Sequence, residues 1–221
     1  MFINHFDVDG TITYPGHDFW FAICRDVLPS YFESTVLPVL AQADAGSAYL
    51  AMSRACEYIS SQNLWLEVDK SAQAVAKNAV KNGVFRPKAL SKINELIGGG
   101  NVVVFQTANF RRAATVIIET LFREKLLNRA GPGMMPIYGS LCNYDSGQQV
   151  FCNFGPGKFQ SAVSVSRAFG EDLGSASAFY CDDPEHNDAQ LLSAVRAGYI
   201  VRNIKNESVP RQAHVELIDW D

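Results

Sequence analysis

Two aspartates two positions apart, in Phe6-Asp7-Val8-Asp9-Gly10-Thr11, have the spacing for phosphoryl chemistry. A carboxylate at Asp7 can attack phosphorus and form an acyl phosphate that water later hydrolyses. Asp9 can reach the leaving oxygen as a general acid and then activate water as a base. Gly10 admits a sharp turn that a Cβ would hinder. Further along, Thr107, Asn109 and Lys158 are candidates to bind phosphoryl oxygens, and Asp182, Asp183 and Asp188 supply more carboxylates. Carboxylates gathered at one place repel, and a divalent cation relieves that repulsion. Mg²⁺ takes oxygen ligands, commonly one or two carboxylates and a substrate phosphate. The spacing leaves open whether Asp182 or Asp183 faces such an ion.

Other chemistries fit less well. Gly155-Pro156-Gly157-Lys158 suggests a nucleotide P-loop, but the first glycine of that motif falls at Cys152, and Phe159 replaces the Ser or Thr that would meet Mg²⁺. His5, His17, His186 and His214 show no zinc spacing. His17 and Asp18 either line the cleft or lie in a solvated loop. Arg111 and Arg112, after Thr107, either contact substrate or lie on a solvated helix face, and the solvated face is the expectation. Phe19, Trp20 and Phe21 either pack a helical core or line a substrate pocket.

The elements must bring these residues to one edge. Residues 2–6 read as a buried strand that breaks at Asp7. From about 17 to 82, apolar residues recur at helical spacing, with Pro29 and Pro38 as punctuation. After Arg86-Pro87 an amphipathic helix runs to the glycines at 98–100, and 101–106 is a β-branched central strand. A helix over 110–127, a strand near 135–140, and a hairpin turning at 145–147 follow. Lys158 opens a helix, 177–183 is a strand ending in acids, and a helix and a short strand close the pattern; the last dozen residues are ambiguous. Strands alternating with helices imply an α/β fold, a mainly parallel, Rossmann-like sheet covered on both faces. Ligands then sit beyond the carboxyl ends of the strands, where Asp7, Thr107 and Asp182–Asp183 fall. The expected organisation is a core of 1–13 and 86–221 with a helical cap inserted at 14–85.

Composition narrows the partners. The net charge of −4 argues against a nucleic-acid surface. No run is long enough to insert into a membrane. The five cysteines, Cys24, Cys56, Cys142, Cys152 and Cys181, are odd in number and lack CxxC spacing, so each is expected to be a free, small buried residue in a reducing compartment. With no basic, apolar leader in Met1-Phe2-Ile3-Asn4-His5, a cytoplasmic location is expected.

Asp7-Val8-Asp9-Gly10-Thr11-Ile12-Thr13 resembles the first motif of the haloacid dehalogenase superfamily. Phe105-Gln106-Thr107 resembles its second motif, Lys158 its third, and Asp182 through Asp188 its fourth, in the family's order and across nearly the whole chain. The likeness is closest to the phosphoserine-phosphatase-like branch, which carries a helical cap between the first two motifs. The resemblance implies a Mg²⁺-dependent phosphatase. Asp7 would be the nucleophile and Asp9 the acid/base; Thr107 and Lys158 would hold phosphate. Asp7, the backbone carbonyl of Asp9, and Asp183 would hold the metal, with Asp182 and Asp188 behind them. The substrate would be a phosphorylated small molecule, or a phosphoprotein side chain if the cleft is open. A phosphotransferase or mutase with the same intermediate, and a silent binding protein on the same fold, are the alternatives.

Overall fold

The computed structural model describes residues 1–41, 45–129, 135–203, 206 and 212–220. The first strand, β1 (Ile3–Asp7), is buried at every position, as befits a strand covered on both faces. The chain then turns and enters a helical segment. In it, α1 (Phe19–Val27) starts at Asp18, whose carboxylate accepts from the Phe21 N–H at 2.9 Å. The short α2 (Pro29–Tyr31), a π-helical turn at Phe32–Val36, and α3 (Leu37–Leu40) break at the prolines. The longer α4 (Ala45–Ser61) and α5 (Trp65–Lys81) complete the segment.

The alternation then begins. Helix α6 (Pro87–Gly98) starts on proline and stops at Gly99. It is followed by β2 (Val102–Phe110), α7 (Arg111–Arg123), the hairpin β3 (Ile137–Cys142) and β4 (Gln149–Phe151), and α8 (Pro156–Ala168). Then come α9 (Leu173–Ala176), β5 (Ser177–Cys181), α10 (Ala189–Ala194), β6 (Ala197–Val201) and β7 (Val215–Ile218). These seven strands form one sheet in the order β4-β3-β2-β1-β5-β6-β7. Neighbours are parallel except for β3 and β4. The α/β expectation holds, and the central position of β1 puts Asp7 between the ends of β2 and β5. No helix of the described residues is long and apolar enough to cross a membrane.

The helical segment leaves and rejoins the sheet at one place. Thr13 and Phe85 form an antiparallel bridge, flanked by Tyr14 N–H to Val84 O and Arg86 N–H to Ile12 O, each 2.9 Å. Beyond that junction, α5 packs along α7. Arg112 of α7 makes a two-pronged pair with Asp69 of α5, both bonds at 2.7 Å. This corrects the expectation of a solvated face for Arg112; Arg111 is exposed, as expected.

Three further differences from the sequence reading have physical causes. Strand β2 runs to Phe110 rather than stopping at Gln106, with an irregularity opposite β3 between those two residues. Thr107 and Asn109 therefore belong to a strand, not to the turn after it. Strand β7, four residues at the sheet edge, went unread because so short a run carries little periodicity. Last, Cys56 of α4 and Cys142 of β3 form a disulfide, 86 residues apart in sequence with Cα atoms 6.4 Å apart. The expectation that all five cysteines are free is corrected: Cys24, Cys152 and Cys181 are free. Only the fold brings the other two together, so spacing could not reveal them.

Candidate active site

Asp7 ends β1 with its side chain only 7% exposed. Lys158, in the first turn of α8, is fully buried and donates to Asp7 Oδ1 at 2.5 Å and to Asp188 Oδ1 at 2.7 Å. Burial pushes the pKa of the Lys158 ammonium down, but the charges of Asp188 and Asp7 more than reverse this and leave it raised. It is a fixed positive charge beside Asp7.

Carboxylate oxygens of Asp7, Asp182 and Asp188 all lie within 4.8 Å of one another. Three carboxylates thus face one ammonium. Burial pushes the Asp182 carboxyl up to about 7, and the charge of Asp7 pushes the same way. Asp188 Oδ2 is buried without a hydrogen-bond partner among the described residues. An all-oxygen donor set, excess negative charge and an orphaned carboxylate oxygen fit a hard divalent cation such as Mg²⁺.

The acid that joins this cluster is Asp182, not Asp183. Asp182 Oδ1 accepts from Thr11 Oγ1 at 3.2 Å, and its backbone carbonyl accepts from Asn206 Nδ2 at 2.9 Å and Asn203 Nδ2 at 3.2 Å. Asp183 is turned to its own loop: Oδ1 pairs with His186 Nδ1 at 3.0 Å, and Oδ2 accepts from the Asn187 N–H. Gly10, at φ +78°, lies so close that a Cβ there would collide with the Asp182 carboxylate.

Asp9 stands apart from the three acids. Its Oδ1 accepts from the Phe19 N–H at 3.0 Å, and its Oδ2 accepts from Thr107 Oγ1 at 3.4 Å. Burial holds its carboxyl well above the usual carboxylate range, and the charge of Asp18 adds to the effect. A protonated carboxyl of this kind can deliver a proton. Thr107 is buried, and its hydroxyl also accepts from the Asn109 N–H at 3.1 Å. Asn109 Oδ1 accepts from the Phe110 N–H at 2.7 Å, while its buried Nδ2 has no partner among the described residues.

One organising residue escaped the sequence reading. Buried Asn153 donates through Nδ2 to Gln106 Oε1, Thr107 O and Tyr138 O at 3.0–3.2 Å, and accepts from Ser161 Oγ at 2.7 Å. It ties the ends of β2 and β3 to α8, and so sets Thr107 and Lys158 relative to each other. A loop asparagine five residues before a lysine has no signature that separates it from a turn residue.

A cavity of about 120 Å³ opens between Asp9 and Asn109 on one side and the helical segment on the other, where Asp18, Trp20, Phe21 and Met52 line it. Of the two readings of the Phe19-Trp20-Phe21 run, Trp20 and Phe21 line this space, while Phe19 packs in the core against Phe85.

No protein-family model and no curated protein matches the chain. Solved structures do. A protein of unknown function from Bordetella pertussis Tohama I is 16% identical, with a TM-score of 0.67 over 99% of this chain and 98% of that one. A substrate-bound phosphoserine phosphatase is 15% identical, with a TM-score of 0.57 over 90% and 85%. A HAD family hydrolase from Salmonella enterica serovar Typhi is 14% identical, with a TM-score of 0.59 over 94% and 65%. At these identities the likeness is one of fold: the chain has the α/β fold of solved phosphoserine phosphatases and haloacid dehalogenase hydrolases.

Proposed function

We propose that the chain is a Mg²⁺-dependent phosphatase that hydrolyses a phosphate monoester through an aspartyl-phosphate on Asp7. The observation that carries this reading is the position of Lys158 Nζ, held between Asp7 Oδ1 and Asp188 Oδ1 beside the Asp182 carboxylate. In the first step an Asp7 oxygen attacks phosphorus, and the bond to the leaving oxygen breaks as Asp9 gives that oxygen its proton. In the second, water gives a proton to Asp9 and attacks phosphorus, the bond to Asp7 breaks, and inorganic phosphate leaves. Lys158, Thr107 and Asn109 Nδ2 hold the phosphoryl oxygens. Asp7, Asp182 and Asp188, with the backbone carbonyl of Asp9, hold the metal. When bound, Mg²⁺ offsets charge on the transferring phosphoryl group.

In this reading 14–85 acts as a cap over a core of 1–13 and 86–221. The pairing of the two connections at Thr13 and Phe85 supports that division. The small cavity beneath the helices favours a phosphorylated small molecule over a phosphoprotein. A cytoplasmic location is the remaining part of the reading; the Cys56–Cys142 bridge weighs against it, because disulfides persist in oxidising compartments. Thiol trapping in intact cells would decide it.

The test of the function is phosphate release by the purified protein from a panel of phosphomonoesters, with Mg²⁺ and with chelator, beside Asp7→Asn. Release that requires both Mg²⁺ and Asp7 is expected. Equal release by Asp7→Asn, in protein shown not to have deamidated, would overturn the assignment of the nucleophile.

A further inference from the structure

The cavity next to Asp9 has a chemical character of its own. Its wall from the helical segment is Trp20, Phe21, Leu40 and Met52, and Phe154 closes it from the loop before α8. The charged groups lining it among the described residues are Asp9 and Asp18, both acidic. No lysine, arginine or histidine lines it among those residues. The nearby cations are committed elsewhere. Lys158 is held by Asp7 and Asp188, Arg112 by Asp69, and Arg25, which lies over the Phe21 ring, by Glu33. Arg111 lines a separate cavity with Tyr138, Leu141 and Phe151.

A leaving group with its own carboxylate or second phosphate would enter an apolar space, lose hydration, and meet no counter-charge among the described residues. An uncharged hydrocarbon would lose nothing there and would bury its surface. We infer that the leaving group is an apolar alcohol or phenol that carries no anionic group, so that phosphorylated hydroxy acids are poor substrates, and phosphoserine as well, because both its carboxylate and its ammonium would have to leave water. This inference rests on the phosphatase reading and specifies its substrate class. Phosphorus–oxygen cleavage is as written above, the alcohol or phenol leaving with the proton from Asp9.

The experiment compares kcat/KM of the full chain with Mg²⁺ for benzyl phosphate, O-phosphoserine, 4-methoxyphenyl phosphate and 4-carboxyphenyl phosphate. Benzyl phosphate should exceed phosphoserine at least about tenfold, the size of effect a pocket gains by leaving a charge unpaired. The carboxylated aryl ester should fall below the methoxy ester, although its leaving group is intrinsically the better one. Ala48→Arg, at a lining position on α4, should narrow both gaps by supplying a counter-charge. If that variant does not fold, the wild-type comparison decides alone. Preference for phosphoserine or the carboxylated ester would overturn the inference and leave the phosphatase reading standing. No Asp7-dependent release from any of the four would overturn both.

Discussion

The backbone N–H of Phe19 donates to Asp9 Oδ1 at 3.0 Å, so the first turn of α1 holds the carboxyl two residues beyond Asp7. A helix N-terminus offers free N–H groups, and α1 spends one of them on the proposed acid/base. In Asp9→Asn the side-chain oxygen can still accept from Phe19, so the fold should persist. The proton-transfer role is lost, and turnover should fall by a factor on the order of 10² to 10⁴. Mg²⁺ affinity should hardly change, because the Asp9 side chain engages Phe19 and Thr107 rather than the three acids. Single-turnover kinetics with calorimetric Mg²⁺ titration checks both parts; a collapse of metal affinity would make the Asp9 side chain a ligand.

Lys158 should matter to folding as much as to phosphate. It is fully buried between two carboxylates, and its removal leaves Asp7 and Asp188 facing each other without compensation. Lys158→Met should cost about 3–5 kcal/mol of stability without metal, as breaking a buried pair does. Saturating Mg²⁺ should restore part of the loss, since the ion binds the folded state and supplies positive charge. Urea unfolding with and without Mg²⁺ measures this. An equal loss in both conditions would place the cation away from these acids.

Much of this site could be read from residue order alone, for physical reasons. An apolar strand followed by Asp-x-Asp-Gly announces its own turn, and β-branched residues before Thr107 announce β2. Lys158 and the acids after β5 follow from the alternation of strand and helix. What stayed hidden depends on contacts between distant segments. Asn153 acts only because β2, β3 and α8 converge on it. Cys56 meets Cys142 only because α4 lies over the β3–β4 hairpin. The extension of β2 through Thr107 to Phe110 depends on pairing with β3, which local composition does not report.

Gly10 couples backbone conformation to the acidic cluster. Its φ of +78° is strained for any residue with a Cβ, and that Cβ would collide with Asp182. Gly10→Ala should cost at least about 1 kcal/mol from the backbone. The displaced Asp182 should also weaken Mg²⁺ binding. Thermal unfolding and a Mg²⁺ titration on one preparation separate the two effects; lost stability with unchanged affinity would remove Asp182 from the metal set.

The Cys56–Cys142 bridge joins α4 to β3 across 86 residues of sequence. Closing so long a loop in the unfolded chain stabilises the native state by about 2–5 kcal/mol. Reductant should therefore lower the unfolding midpoint of the wild type, and leave a Cys56→Ala, Cys142→Ala double variant unmoved. A double variant as stable as the oxidised wild type would show that the bridge adds nothing to the packing of α4 against the hairpin.

Asp182 and Asp183 are adjacent in sequence but opposite in orientation, and this gives the sharpest comparison. Asp182 points to Asp7 and Asp188, and two asparagine side chains hold its carbonyl in place. Asp183 accepts from the Asn187 N–H and pairs with His186 at the surface. Asp182→Asn removes one charge from a crowded buried cluster. Without metal that relieves repulsion, so the apo protein should become more stable. With Mg²⁺ a ligand charge is lost, so affinity should drop by roughly tenfold or more and the advantage should reverse. Asp183→Asn keeps an oxygen that can accept from Asn187 and should stay within about 0.5 kcal/mol of wild type, with Mg²⁺ affinity unchanged. Parallel Mg²⁺ titrations and melting curves of the two variants decide the matter. If Asp183→Asn were the variant that lost the metal, the loop after β5 would have to bind it in a different orientation, and the ligand set would pass from Asp182 to Asp183.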